Sequence, residues 1–239
     1  MNIAIIFAGG TGQRMKTSSK PKQFLELYGK PIIVYTLEHF QSHYLVDGIV
    51  VVCIESWIQH CKELLRKYNI SKVSCVVSGG SSGQESIFNG LKAAFELYPD
   101  DSIVLIHDGV RPLINGQLIT DDIECAKRKG SAITVSPAVE TIILKQENGN
   151  VGAIFDRTSC EMARAPQCFY LKEIYNIHLK ARKEGKNNFI DSASLMKYYG
   201  YELSTVVGPY ENFKITTPAD FYIFRAIIDA KKSMQILGL

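Results

Sequence analysis

Apolar runs bounded by turn residues alternate along this chain with stretches of helical period. Residues 2–7 form the first apolar run and lead directly into a glycine-rich loop. Residues 48–54 are an unbroken β-branched run, the pattern of a strand buried on both faces. Residues 73–78, 102–107 and 132–135 repeat it. Between these runs, residues 31–41, 56–68, 84–97 and 117–129 carry apolar positions at helical spacing, the first opened by Pro31. Such an alternation predicts an α/β fold: a mostly parallel sheet with helices on both faces.

The rhythm changes after residue 138. Residues 141–145 and 151–155 read as two strands around Asn148-Gly149, a strong hairpin signal. They predict a protruding β-hairpin arm over residues 138–160, apolar at its tip, on a single domain spanning residues 1–239. An arm of this kind needs a cover, which predicts a homodimer built through it. Helical period returns at 171–184, 191–199 and 219–234. Repeats, low-complexity segments and Pro/Gly/Ser-rich linkers are absent from the sequence.

Composition narrows the function classes. A chain of 239 residues, 46% apolar, can bury one sizeable core. A formal net charge of +3 is too mild to argue for nucleic acid or an anionic membrane, and neither is expected as a partner. No stretch approaches the roughly 18 apolar residues of a membrane span. The six cysteines, Cys53, Cys61, Cys75, Cys125, Cys160 and Cys168, show no CxxC pair and no metal-ligand spacing. They read as core thiols of a reducing compartment. The first apolar run is too short for a signal peptide, so the expected location is cytoplasmic.

The candidate chemistry begins at Ala8-Gly9-Gly10-Thr11-Gly12-Gln13-Arg14, directly after the first strand. Ligands of open α/β sheets bind outside the carboxyl ends of the strands, and glycines let backbone N–H groups curl around an anion. No Gly-Lys-Ser/Thr ending follows, which excludes a Walker loop, and no third glycine follows near Met15, which argues against an NAD-dependent oxidoreductase. The loop instead leads through Arg14 to Lys20-Pro21-Lys22-Gln23. A glycine turn with an arginine and a lysine reads as a triphosphate clamp that neutralises charge on a leaving pyrophosphate. His107, the one histidine within a motif, reads as a structural strand-end residue. Asp108, followed by Gly109 and Arg111-Pro112, reads as a ligand of metal or ribose.

Several spaced motifs carry a resemblance. GGTGQRM with KPKQFLEL, His107 to Pro112, Asp156-Arg157, Ala165-Pro166-Gln167 and Asn212 to Thr216 resemble, in order, the motifs of the polyol-phosphate cytidylyltransferases. That family includes methylerythritol 4-phosphate and ribitol 5-phosphate enzymes. The resemblance implies a Rossmann-like fold of nucleotidyltransferase type. It also implies transfer of CMP from CTP to a polyol phosphate, with Mg²⁺ across the triphosphate and the acceptor's own phosphate oxygen as nucleophile. Arg14, Lys22 and Lys214 match its catalytic cations. Ala8, Gly9, Gly10, Thr11, Gly12, Gly79, Gly80, Ser86 and Asp108 match its nucleotide contacts. Arg111, Thr141, Arg157 and Asp108 match its acceptor contacts, with Arg157 supplied by the dimer partner's arm. Asp108 is also the candidate metal ligand.

Two positions depart from the family pattern. Gly83 stands where an arginine is usual in the cytosine loop, and Ala165 replaces the threonine of Thr-Pro-Gln. Gln84 and Arg164 lie beside these gaps as candidates to compensate. The departures motivate a second reading, a CTP-binding protein without turnover. For the acceptor, Val110 and the PKQFLEL run favour ribitol 5-phosphate, whereas Asp191-Ser192-Ala193-Ser194 favours methylerythritol 4-phosphate.

Overall fold

The computed structural model describes residues 1–10 and 20–237. The first half winds β1 (Asn2–Ala8), the small hairpin β2 (Glu26–Leu27) and β3 (Lys30–Pro31), then α1 (Ile32–Ser42) and β4 (Gly48–Cys53). It continues through α2 (Ile58–Lys67), β5 (Val73–Ser78), α3 (Gly83–Leu97), β6 (Ile103–Asp108) and α4 (Gly116–Lys129). The second half holds β7 (Ser131–Pro137), the arm strands β8 (Ile142–Lys145) and β9 (Val151–Phe155), and the long β10 (Glu161–Tyr170). It ends with α5 (Leu171–Lys183), α6 (Ser192–Tyr198), β11 (Thr205–Val207) and α7 (Pro218–Leu237).

Seven strands form the central sheet in the order β11-β7-β10-β6-β1-β4-β5. All pairings within it are parallel except those of β10, which runs antiparallel to both β6 and β7. All six residues of β4 are buried because helices cover both faces. Period two sorts the side chains: Ala4, Ile6 and Val51 meet α1, α2 and α4 on one face. Ile3, Ile5, Val50 and Val52 meet α3, α5 and α6 on the other. A smaller third cluster joins Leu27, Ile32, Val110 and Ile215 to Phe224 of α7.

Local signals set the helix boundaries. Ser82 accepts a hydrogen bond from the Glu85 amide at the start of α3, and Asn115 does the same for Leu118 in α4. Gly130, at φ +84°, stops α4 in the left-handed region. Residues 55–57 form a 3-10 turn before α2 begins, which shortens the predicted helix at its start.

The arm differs from expectation in one respect. Its tip, around Asn148 and Gly149, is polar, and the bare apolar side chains run along the strands. Every residue of β9 is exposed, including Ile154 at 68%. The sequence pattern also missed β10. Its first residues are exposed, its register with β7 shifts between Ala163 and Gln167, and Pro166 interrupts it, so no clean period marks it.

Candidate active site

Strand register brings the candidate residues together. Ala8 pairs with Cys53, Phe7 with Asp108, and Cys53 with Ser78, so β1, β4, β5 and β6 all end at one edge. A cleft of about 450 Å³ opens there. Ala8, Gly9, Gly10, Lys22, Gly80, Ser86, Asp108 and Lys214 all line it. Thr11, Gly12 and Arg14 lie outside the described residues.

Asp108 is the electrostatic centre. Its carboxylate is 4% exposed, with the Lys214 ammonium 2.5 Å from Oδ1 and Arg111 donating from Nε to Oδ2 at 2.7 Å. Burial pushes this carboxyl up, but Lys214 and Arg111 outweigh it and hold the pKa at about 2. Arg111 also donates from Nη1 to the Asn212 carbonyl at 3.0 Å, so it braces the turn behind Asp108. The Lys214 side chain keeps 38% of its surface exposed, towards the cleft. Lys22, 8% exposed, donates from Nζ to the Ile215 carbonyl at 2.9 Å, so the two lysines are tied to one short segment.

His107 is fully buried, and desolvation lowers its pKa to about 3. The neutral ring packs on Phe40 and faces the Arg111 carbonyl at 3.2 Å, which fits the structural role expected of it. No Ser-His-Asp chemistry is built around it among the described residues.

The glycine loops meet over Ser86. Its hydroxyl accepts from the Gly80 N–H at 3.0 Å and donates to the Ser82 carbonyl at 2.9 Å. The Gly79 N–H donates to the Cys53 carbonyl at 2.7 Å. A Cβ at Gly79 would stand 3.1 Å from Ser86 Oγ and one at Gly9 3.2 Å from it, so a side chain at either position would crowd the Ser86 hydroxyl. Gly83 lines the cleft with nothing within 4 Å of where a Cβ would lie, so no neighbour fills that position. Gln84 does not fill it: the amide turns away to the Lys186 carbonyl and the Phe189 N–H, each at 3.0 Å.

Thr141 and Arg157 are exposed on the arm and do not line the cleft; Arg157 donates to the Val139 carbonyl at 3.2 Å. Two contributors went unnoticed in the sequence. Gln23 Nε2 donates to the Ala8 carbonyl at 2.5 Å, fixing the loop entry, and Thr216 lines the cleft beside Lys214. Both sit inside quoted motifs, KPKQ and Asn212 to Thr216, which was the only signal for them.

A family model described as IspD, 2-C-methyl-D-erythritol 4-phosphate cytidylyltransferase, matches residues 2–230. A ribitol-5-phosphate cytidylyltransferase of Vibrio parahaemolyticus is 52% identical over the full length of both chains. A 2-C-methyl-D-erythritol 4-phosphate cytidylyltransferase of Clostridium acetobutylicum is 41% identical, covering 98% of this chain and 100% of that protein. Among solved structures, 4-diphosphocytidyl-2C-methyl-D-erythritol synthase of Anaerococcus prevotii superposes with a TM-score of 0.83 at 27% identity, over 95% of this chain and 96% of that one.

Proposed function

The chain belongs to the IspD family of cytidylyltransferases, and on that premise we propose that its acceptor is ribitol 5-phosphate. It is a nucleotidyltransferase that moves CMP from CTP onto the phosphate of a polyol. An oxygen of the acceptor phosphate bonds to the α-phosphorus of CTP while the bond to the bridging oxygen breaks. The bridging electron pair leaves with pyrophosphate. The attacking oxygen is already anionic, so no general base is required, in keeping with the neutral, buried His107. The chemistry needs position and positive charge.

One observation carries this reading: Lys22 and Lys214 line the same strand-end cleft as the glycine loop. In our reading both lysines, with Arg14, stabilise charge on the α-phosphate and the leaving pyrophosphate. Gly79, Gly80 and Ser86 hold the loop that reads cytosine. Mg²⁺ would supply neutralisation of the triphosphate. No three His, Cys, Asp or Glu side chains are grouped to hold a metal among the described residues. Asp108 is the one carboxylate lining the cleft among the described residues, and with both oxygens paired to Lys214 and Arg111 it would hold such an ion only by exchanging one of these partners.

The lean towards ribitol 5-phosphate is supported by relatives of that name at 50–52% identity, against 37–41% for methylerythritol enzymes. Asp191-Ser192-Ala193-Ser194 does not oppose it. Asp191 caps α6 through the Ser194 N–H and hydroxyl, a structural role independent of the acceptor. The exposed arm supports a homodimer in which Thr141 and Arg157 reach the partner's acceptor side.

A pyrophosphate-release assay with CTP against ribitol 5-phosphate and methylerythritol 4-phosphate tests the assignment. We expect the higher kcat/KM with ribitol 5-phosphate; a preference for methylerythritol 4-phosphate would reverse it, and turnover with neither would restore the reading of a CTP-binding protein.

A further inference from the structure

Arg164 sits where the β7–β10 ladder breaks. Ala163 still pairs with Val135, but regular pairing resumes only at Gln167 with Ile133. The irregularity lies opposite the middle of β7, and from it Arg164 reaches Ser136, near the end of β7 on the side where the other parallel strands end. The side chain is half-buried and fixed in place. Its Nε donates to Ser136 Oγ at 3.0 Å, and the guanidinium lies 5.8 Å from the centre of the Tyr210 ring. No carboxylate lies within 4 Å of it among the described residues.

The neighbourhood is short of negative charge. Asn212 ties it to the active site, accepting from Arg111 through its carbonyl at 3.0 Å and donating from Nδ2 to the Ala165 carbonyl at 2.6 Å. Burial, and then the charge of Arg111, lower the proton affinity of Arg164. Arg111 and Lys214 share one carboxylate, Asp108, while Arg164, near enough to feel the charge of Arg111, has none within 4 Å, so these three cations and one carboxylate leave a surplus of two positive charges. A phosphate monoester carries about −1.5 to −2 at pH 7, which matches that surplus. A merely structural arginine stacked on tyrosine would gain nothing from a second guanidinium nearby. The position also follows chemically, because the adjoining Ala165 lacks the hydroxyl usual in the family.

We propose that Arg164 binds the phosphate of the polyol acceptor, replacing through its guanidinium the hydroxyl missing at Ala165. This rests on the cytidylyltransferase reading above. Planar guanidinium donors suit a phosphate better than a hydroxyl does, and they would hold the nucleophilic oxygen beside Lys214.

The test compares wild type, Arg164→Ala, Arg164→Lys and Arg164→Ala/Ala165→Thr. KM and kcat are measured for ribitol 5-phosphate, with Kd for CTP by calorimetry and Tm as a check on folding. We expect Arg164→Ala to raise the acceptor KM about 10- to 100-fold. The CTP Kd and Tm should hold, Arg164→Lys should fall between, and Ala165→Thr should recover part of the loss. An unchanged acceptor KM in Arg164→Ala, or a loss shared by CTP Kd and Tm, would overturn the proposal. Should Arg164→Ala not fold, Arg164→Lys decides: a wild-type acceptor KM there overturns it. Absence of pyrophosphate release by the wild type with every polyol phosphate would instead remove the functional reading itself.

Discussion

Asp108 places both carboxylate oxygens against cations, and its depressed pKa has a definite consequence for stability. Its contribution is present above the ordinary carboxylate value of 3.8 and is lost only as pH falls towards 2, so it leaves the neutral range untouched. Asp122 behaves in the opposite way. Fully buried between α4 and β7, it accepts from Thr134 at 2.8 Å, and desolvation raises its pKa to about 8. The folded chain therefore holds a proton that the unfolded chain releases, and stability falls as pH rises from about 4 through 8. Asp122→Asn imitates the protonated side chain. We expect its Tm to exceed that of wild type at pH 8.5, by about 2–4 °C for each kcal/mol recovered, with a smaller gap at pH 5. An equal gap at both pH values would contradict this. At the site, Lys22→Ala should lower the rate of pyrophosphate release about 100-fold or more, measured at saturating CTP.

Elements explain why some residues could be read from the sequence and others could not. β4 was legible because six consecutive buried positions leave only one pattern, and the arm because Asn-Gly marks its turn. That Asp108, Gly9 and Gly79 lie at one sheet edge was legible because each ends or follows a buried strand, and the sheet must bring those ends together. The contacts of Gln23 and Arg164 were not, since they depend on loop closure and on an irregular register that no local period encodes, although Arg164 stood out for its place beside Ala165. Gly90 illustrates a packing constraint of the same kind. A Cβ there would come 2.6 Å from Ile5 Cγ2 and 2.7 Å from Val52 Cγ2, so α3 approaches the sheet only as glycine permits. We expect Gly90→Ala to lose about 1–3 kcal/mol by overpacking, despite alanine's better helix propensity, in urea denaturation. A stabilised variant would show that α3 can move away without cost.

At the scale of the whole molecule, one sheet edge holds the charged chemistry while the arm carries bare apolar strands away from it. Ile143, Leu144, Val151, Ile154 and Phe155 each expose about half their surface or more, apolar area on both faces of the hairpin that a monomer would leave in water. The proposed homodimer predicts that wild type sediments as a dimer and Ile154→Asp as a monomer with a raised acceptor KM, and a monomeric wild type would overturn it. An unchanged dimer would place the interface elsewhere. The proposed catalysis depends on cations of separate chain segments acting on one triphosphate. The most direct measurement is the initial rate of pyrophosphate release by Lys214→Ala, with CTP and ribitol 5-phosphate, beside wild type. We expect kcat to fall about 100-fold or more with the fold intact, and a rate within twofold of wild type would contradict the account.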